Sequence, residues 1–410
     1  MKLSHLVGGT LLVAGTTIGA GMLALPVITS IIGFFPALLV FLLCWGVMLL
    51  AAFFLLDVNL SLERDVNLIT MAHKMLGQWG RSLCWVFYLC LLYSLVAAYI
   101  TASIPLFSKA FFALSGRELP HWMAPFCLPL FFGFFVYLGT VGVDLINRLL
   151  MMGLAISYLF LVGVLPGEVQ MPLLLHIDWR PISIVFPVVI TSFGYHIIIP
   201  TLSTYLKGNR KQLRIVILLG SLLPLCIYAL WELLIIGTIP LGGEDGLIAA
   251  WQNGDSATLP LSERAKGSWI TIFANFFSFF AIVTSFLGVA LSLSDFFVDG
   301  LKVKISWKGR PLAFLLTFLP PLAFVFIYKK GFIAALDFAG AFVAILLIAF
   351  PSLMAWRLKE RPFYQSKKGR ALLLFVLLFA LFIVLVDIAS QFGMVEFFKL
   401  REESYVSIKI

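Results

Sequence analysis

Gly15-Thr16-Thr17-Ile18-Gly19-Ala20-Gly21-Met22-Leu23-Ala24-Leu25-Pro26 lies inside an apolar run that extends from Leu6 to Ile32. A helix of that length spans a bilayer, whose hydrocarbon core of ~30 Å takes ~20 helical residues. The centre of the run nevertheless carries three glycines and two threonines. Each glycine costs a helix about 1 kcal/mol relative to alanine. Lipid offers no partner to an exposed peptide group, so interrupted backbone at membrane depth must be packed in protein or line a polar cavity. The stretch therefore predicts a helix broken at about Gly15 to Gly21, with a ligand site at the break.

The rest of the chain agrees with a membrane setting. It is 61% hydrophobic and 12% charged, with a mean hydropathy of +1.05. Soluble domains carry about 25% charged residues. The composition thus predicts an all-α, polytopic integral membrane protein. Apolar runs of spanning length fall at about 6–30, 34–56, 83–107, 124–140, 147–166, 182–205, 213–238, 268–300, 312–328, 332–355 and 371–391. That is about eleven helices by length and hydropathy. The 124–140 run is short and holds Pro125 and Pro129, and only Lys329-Lys330-Gly331 separates the 312–328 and 332–355 runs.

A net charge of +9 fits basic cytoplasmic loops rather than nucleic acid binding. With the N-terminus inside, the loops at 64–81, 207–214, 302–310 and 357–370 fall on the inner side. About two-thirds of the 29 lysines and arginines then lie inside. The C-terminus follows on the outside, because the helix count is odd. The five cysteines, Cys44, Cys84, Cys90, Cys127 and Cys226, sit in or beside apolar runs without metal-ligand spacing and read as small buried hydrophobes. The first run is too long for a signal peptide and is read as retained. The outer segment from Pro240 to Gly267 has Gly-Gly and Asn-Gly turns. It is either a cap over the outer mouth or a solvated connection.

The sixth run repeats the pattern of the first. Thr191-Ser192-Phe193-Gly194-Tyr195-His196-Ile197-Ile198-Ile199-Pro200 has a hydroxyl-glycine centre, a short apolar run and a proline. Two broken helices five spans apart are what an inverted repeat of five helices places at equivalent positions. The repeats would cover 1–166 and 182–355, with one additional helix at 371–391. The outer half of the first helix would begin near Gly21 and present free N–H groups and a partial positive charge to a carboxylate. Carbonyls near Gly15 and Ser192 would face an ammonium group. Together the breaks form a receptor for a zwitterion about one amino acid wide.

Neither broken run contains Asp, Glu, Lys or Arg. A charged substrate side chain would be unpaired there, so the substrate is expected to be neutral. Phe193 and Tyr195, with Tyr93, Tyr99 and Phe286, are candidate aromatic walls. In a chain with 40 phenylalanines any one of them can equally be core or lipid-facing. Titratable and hydroxyl groups at membrane depth are the candidates for coupling. His196 lies in the second break, either as a proton carrier or as a neutral ring bonded to freed backbone. Glu232, in the seventh run, either carries a coupled proton or is a paired structural group. Asp387 is similarly placed in the last run. Asp57, Asp295 and Asp299 fall at inner helix ends and are expected to be hydrated. Thr284 and Ser285 either bond back to their own helix or complete an oxygen cage for sodium.

Several of these stretches resemble a known family. Thr17 to Pro26, Leu55-Leu56-Asp57-Val58-Asn59-Leu60, Tyr228 to Glu232, and Ser285 to Gly300 are similar to segments of the bacterial aromatic amino acid permeases, the tryptophan/tyrosine-specific transporters. The resemblance extends over nearly the whole chain. It implies a leucine-transporter-type fold with a five-plus-five inverted repeat and broken helices 1 and 6. It also implies proton-coupled uptake of an aromatic amino acid across the bacterial inner membrane, with tyrosine favoured over tryptophan. By the same resemblance Thr17, Ile18, Gly19, Ala20 and Gly21, with Ser192, Phe193, Gly194 and Tyr195, line the substrate site. Thr284 and Ser285 then occupy the ion position of sodium-coupled relatives, so sodium stands beside the proton as coupling ion. No cofactor, resident metal or nucleic acid partner is expected; the partners are the amino acid, the ion and the bilayer.

Other classes fit less well. Gly19-Ala20-Gly21-Met22-Leu23-Ala24 matches a GxGxxA pattern, but a dinucleotide site needs a preceding strand and a βαβ unit. The sequence has no HExxH, GxSxG or P-loop lysine. A channel would show pore symmetry or charged rings. A carrier of serine, threonine or branched-chain amino acids would share the fold, and substrate competition separates it from an aromatic carrier.

Overall fold

The computed structural model describes residues 3–62, 66–265, 268–300, 309–327 and 331–391. Arg64, most of the basic loop at 302–310, Lys329-Lys330 and the C-terminal tail lie outside the described residues. Every described element is helical. The first run is split into α1 (Leu3–Thr17) and α2 (Gly21–Thr29). Then come α3 (Phe34–Ser61), α4 (Leu68–Ser115), α5 (Ala124–Leu138) and α6 (Thr140–Val164). A single turn, α7 (Met171–Leu174), leads to α8 (Phe186–Ser192) and α9 (Ile199–Tyr205), the two halves of the sixth run. After α10 (Arg210–Thr238), the short helices α11 (Leu247–Asn253) and α12 (Thr258–Arg264) form the segment at 240–267. The chain continues through α13 (Trp269–Gly300), α14 (Gly309–Ile327), α15 (Gly331–Val343), α16 (Phe350–Trp356), the turn α17 (Pro362–Gln365) and α18 (Lys367–Gln391).

Each of the apolar runs read from the sequence contains a described helix. Among the described residues, eight uninterrupted or nearly uninterrupted stretches are long and apolar enough to cross a membrane, and the bent pair α1–α2 makes a ninth. Ala124–Leu138 and Pro311–Ile327 are shorter apolar helices. The boundaries differ from expectation at two glycines. Gly77 has φ 81° and kinks α4, so this helix begins fifteen residues before the apolar run at 83. Gly139, at φ 84°, alone separates α5 from α6, which therefore starts at Thr140 rather than 147. Residues with a Cβ rarely adopt either backbone conformation. Between α15 and α16 the helix widens into a π turn at Ala344–Ala349. Pro351 follows directly and has no N–H to close an ordinary turn.

The core is one continuous apolar cluster, and it sets the relations among the helices. The broken helix α1 packs along α10, α13 packs on α6 and α4, and α15 packs between α4 and α8. The segment at 240–267 is a folded cap on the bundle rather than a solvated connection. Ala257 N–H donates to the Leu23 carbonyl on α2 at 2.9 Å, and Phe332 N–H donates to the Gly254 carbonyl at 3.1 Å. Lys109 on α4 holds Glu263 at 2.6 Å.

Candidate functional site

The first break is confined to Ile18, Gly19 and Ala20, and the axes on either side of it are bent by 57°. Gly15 lies inside α1, so the first half of the broken helix runs two residues further than expected. Thr16 and Thr17 donate to the carbonyls of Leu12 and Val13 four residues back, at 2.7 and 2.8 Å. Ala20 N–H leaves the helical ladder and donates to Ser285 Oγ on α13 at 2.8 Å. The glycines are needed for close approach. A Cβ on Gly19 would stand 2.5 Å from Ser285 Oγ, and one on Gly21 would stand 2.9 Å from Ser192 Oγ and 3.4 Å from Ser192 Cα.

The second break covers Phe193, Gly194 and Tyr195, followed by a 3-10 turn at His196–Ile198. One side chain joins the two breaks. Tyr228 of α10, fully buried, directs its hydroxyl to the Thr17 carbonyl at 2.7 Å and the Ser192 carbonyl at 3.0 Å. These are the last carbonyls of α1 and α8. The Ser192 carbonyl, expected to face an ammonium group, is therefore already engaged, and so is its counterpart at Thr17. Tyr228→Phe keeps the ring contact with Phe193 at 5.3 Å but leaves both carbonyls without this donor. The two carbonyls share one hydroxyl proton, and one unpaired buried carbonyl costs about 1–3 kcal/mol, so maximal uptake should fall about tenfold at matched membrane abundance. Initial-rate uptake with unchanged KM and maximal rate would contradict this tie.

A cavity of ≈ 480 Å³ lies against both breaks, within the range of small-molecule sites. It is lined by the stretch Gly15–Gly21, with Ser192 and Gly194 from the second break, and by Thr284 and Ser285. It opens toward the end of the bundle at which α1 begins. Gly15, Thr16, Ile197, Thr201 and Ser292 along it are exposed, whereas Met22 to Thr29 are buried beneath the cap. The expected aromatic wall is elsewhere. Phe193 packs on Tyr228 and on Phe41, and Tyr195 stacks on His196 at 5.0 Å; neither lines the cavity. Tyr93 donates to the Leu316 carbonyl at 2.9 Å, and Phe286 stacks on Phe318. Of the aromatic candidates Tyr99 alone faces the cavity, and Tyr88 joins it. Tyr88, Leu91, Leu92, Leu95 and Tyr99 form one stripe of α4 at helical spacing, a signal present in the sequence. Asn147 of α6 also lines the cavity, and its Oδ1 has no hydrogen-bond partner among the described residues.

The coupling candidates separate. Thr284 bonds back to the Phe280 carbonyl at 2.8 Å, and Ser285 accepts from Ala20; both face the cavity. His196 is fully buried behind it, with neither ring nitrogen in a hydrogen bond among the described residues. Glu232 is also fully buried and outside the cavity, one turn along α10 from Tyr228. Its Oε1 accepts a hydrogen bond from Thr29 Oγ1 at the far end of α2, and its Oε2 has no partner among the described residues. Asp57 is not hydrated as expected. It is buried, and Arg210, Arg214 and Tyr364 converge on it.

Membrane-length helices, two of them interrupted around one amino-acid-sized cavity, define a polytopic membrane transport protein. The chain belongs to the tryptophan/tyrosine permease family, which it matches over residues 2–387. It is 33% identical to tyrosine-specific transport system 1 of Haemophilus influenzae over 402 residues, covering 95% of this chain and 98% of that one. It is 32% identical to a tryptophan-specific transport protein of Pseudomonas aeruginosa, covering 91% and 92% of the two chains. Among solved structures, a manganese transporter of Eremococcus coleocola superposes with a TM-score of 0.57 at 13% identity, covering 98% of this chain and 89% of that one, so the two share a fold. The family consists of permeases; the chain is a transport protein and not an enzyme.

Proposed function

We propose that the chain is a secondary active transporter that imports an aromatic amino acid, tyrosine in preference to tryptophan, by proton symport with alternating access. The observation that carries this reading is the cavity between the two breaks, closed beneath the cap and open at the opposite end. The substrate carboxylate sits at the first turn of α2, where the Gly21 N–H and the helix dipole meet it, the N–H groups of Ala20, Met22 and Leu23 being bonded within the protein. The ammonium group faces the Gly15 and Thr16 carbonyls, beside the Thr17 carbonyl that Tyr228 holds at the end of α1. The ring lies along Tyr88 and Tyr99, and the unpartnered Asn147 amide takes a polar ring atom. Among the described residues no charged side chain lines the cavity, which favours a neutral substrate. The similarity to tyrosine-specific and tryptophan-specific transport proteins supports the aromatic assignment.

In this reading the chain has eleven spans, with inverted repeats at 1–166 and 182–355 and a further helix at 371–391. The N-terminus is cytoplasmic, the C-terminus is outside, and the membrane is the bacterial inner membrane. Glu232 carries the coupled proton, because it is buried, half unpartnered, and linked through α2 and Tyr228 to both breaks. Thr284 and Ser285 at the cavity support one competing reading, a sodium-coupled carrier of another neutral amino acid.

Counterflow separates these. Proteoliposomes are loaded with one amino acid at a time and given labelled tyrosine outside, with no imposed ion gradient. Exchange should occur with tyrosine, tryptophan and phenylalanine inside. Exchange with serine or leucine would discard the aromatic assignment, and no exchange at all would reopen a channel.

A further inference from the structure

A second cavity lies at the end of the bundle where α1 begins. Gly8 and Gly9 of α1 adjoin Tyr205, Leu202 and Val216, which places the start of α10 at that end. The cavity is ≈ 380 Å³, bounded by the end of α3, the start of α10, α17 and the start of α18. Its polar side holds Arg210, Arg214 and Arg361 around a single aspartate, Asp57. Arg210 Nη2 stands 2.8 Å from the Asp57 carboxylate, and Arg214 Nη2 stands 3.4 Å from it. Arg214 also lies over the Phe53 ring at 5.4 Å. Asp57 thus fixes two guanidinium groups in place without neutralising both. Arg210 Nε is buried with no partner, and Arg361 forms no ion pair among the described residues. Tyr364 donates its hydroxyl to Asp57 at 2.7 Å. Burial and the carboxylate push that hydroxyl well above the usual tyrosine range, so it adds no negative charge.

The apolar side is made by Leu50, Phe53, Phe54 and Leu372. Beyond Leu372, α18 carries the exposed apolar side chains of Leu374, Phe375 and Leu378. A basic loop attracts anionic headgroups diffusely; here fixed guanidinium groups and an apolar floor share one walled cavity. We propose that this cavity binds one anionic phospholipid of the leaflet at the N-terminal end of the bundle. The phosphodiester bridges Arg214 and Arg361, and the first acyl carbons lie on Phe53 and Leu372. A free phosphate would use the arginines and leave the apolar floor unused.

The full chain, purified in detergent, is titrated with phosphatidylglycerol and with phosphatidylcholine, and bound lipid is counted by native mass spectrometry. One phosphatidylglycerol should be retained about tenfold more tightly than phosphatidylcholine. Arg361→Gln removes no ion pair and should weaken that retention about fivefold. Leu50→Trp, which fills the floor, should abolish it, and excess inorganic phosphate should not displace the lipid. Equal retention of the two lipids, or undiminished retention by Arg361→Gln, would overturn the proposal. Displacement by inorganic phosphate would assign the cavity to a soluble anion instead.

Discussion

Gly21→Val is expected to cut tyrosine uptake by about one to two orders of magnitude while the protein reaches the membrane in normal amounts. The first Cβ at this position already meets Ser192 Oγ at 2.9 Å and Ser192 Cα at 3.4 Å. Valine adds two further methyl groups, and one of the atoms it meets is backbone. Ser192 cannot retreat freely, because its carbonyl is held by Tyr228. Overpacking of this kind costs about 1–3 kcal/mol, so uptake should fall roughly tenfold to a hundredfold. Gly19→Val should behave similarly, since its Cβ would meet Ser285 Oγ and displace the acceptor of Ala20 N–H. Insertion should be unimpaired, because valine makes the span more apolar than glycine does. Uptake is compared with membrane abundance measured by immunoblot. Normal uptake by both variants would remove the first break from the site.

The legible part of this site was the discontinuity itself. Glycines and threonines in an apolar run conflict with a simple spanning helix, and that conflict is local to the sequence. Side-chain direction in the non-helical stretch was not legible. Phe193 and Tyr195 flank Gly194, yet both turn into the packing around Tyr228, Phe41 and His196. The aromatic wall lies instead on α4, where Tyr88 and Tyr99 are spaced like one helix face. In an apolar span such a stripe does not stand out from lipid-facing residues. Tyr228 gave no signal of its own, because its hydrogen bonds reach carbonyls 211 and 36 residues away. Asp57 was misread for the same reason. Its position at a helix end implies hydration, and only the fold brings Arg210, Arg214 and Tyr364 against it.

Glu232→Gln is expected to separate exchange from accumulation. Glutamine fills the same space and can keep the contact with Thr29, so α10 and α2 should stay in register. It cannot bind and release a proton. Counterflow of tyrosine should therefore persist, whereas uphill uptake driven by a proton gradient should disappear. One positive charge moved with each zwitterion draws about 2.3 kcal/mol from each 100 mV, enough for roughly a fiftyfold concentration ratio. The variant should lose that ratio and merely equilibrate tyrosine. His196, buried without a hydrogen bond among the described residues, is the natural comparison. It touches Tyr195 rather than α2, so His196→Gln should not abolish accumulation.

The most direct test of this account is the proton movement evoked by substrate in proteoliposomes of the full chain under weak buffering. Adding tyrosine or tryptophan outside should raise the external pH, serine and leucine should not, and Glu232→Gln should give no signal while still exchanging tyrosine. Tyrosine uptake by the unaltered protein with no accompanying pH change would contradict proton symport, and an equal response to serine would contradict the aromatic site.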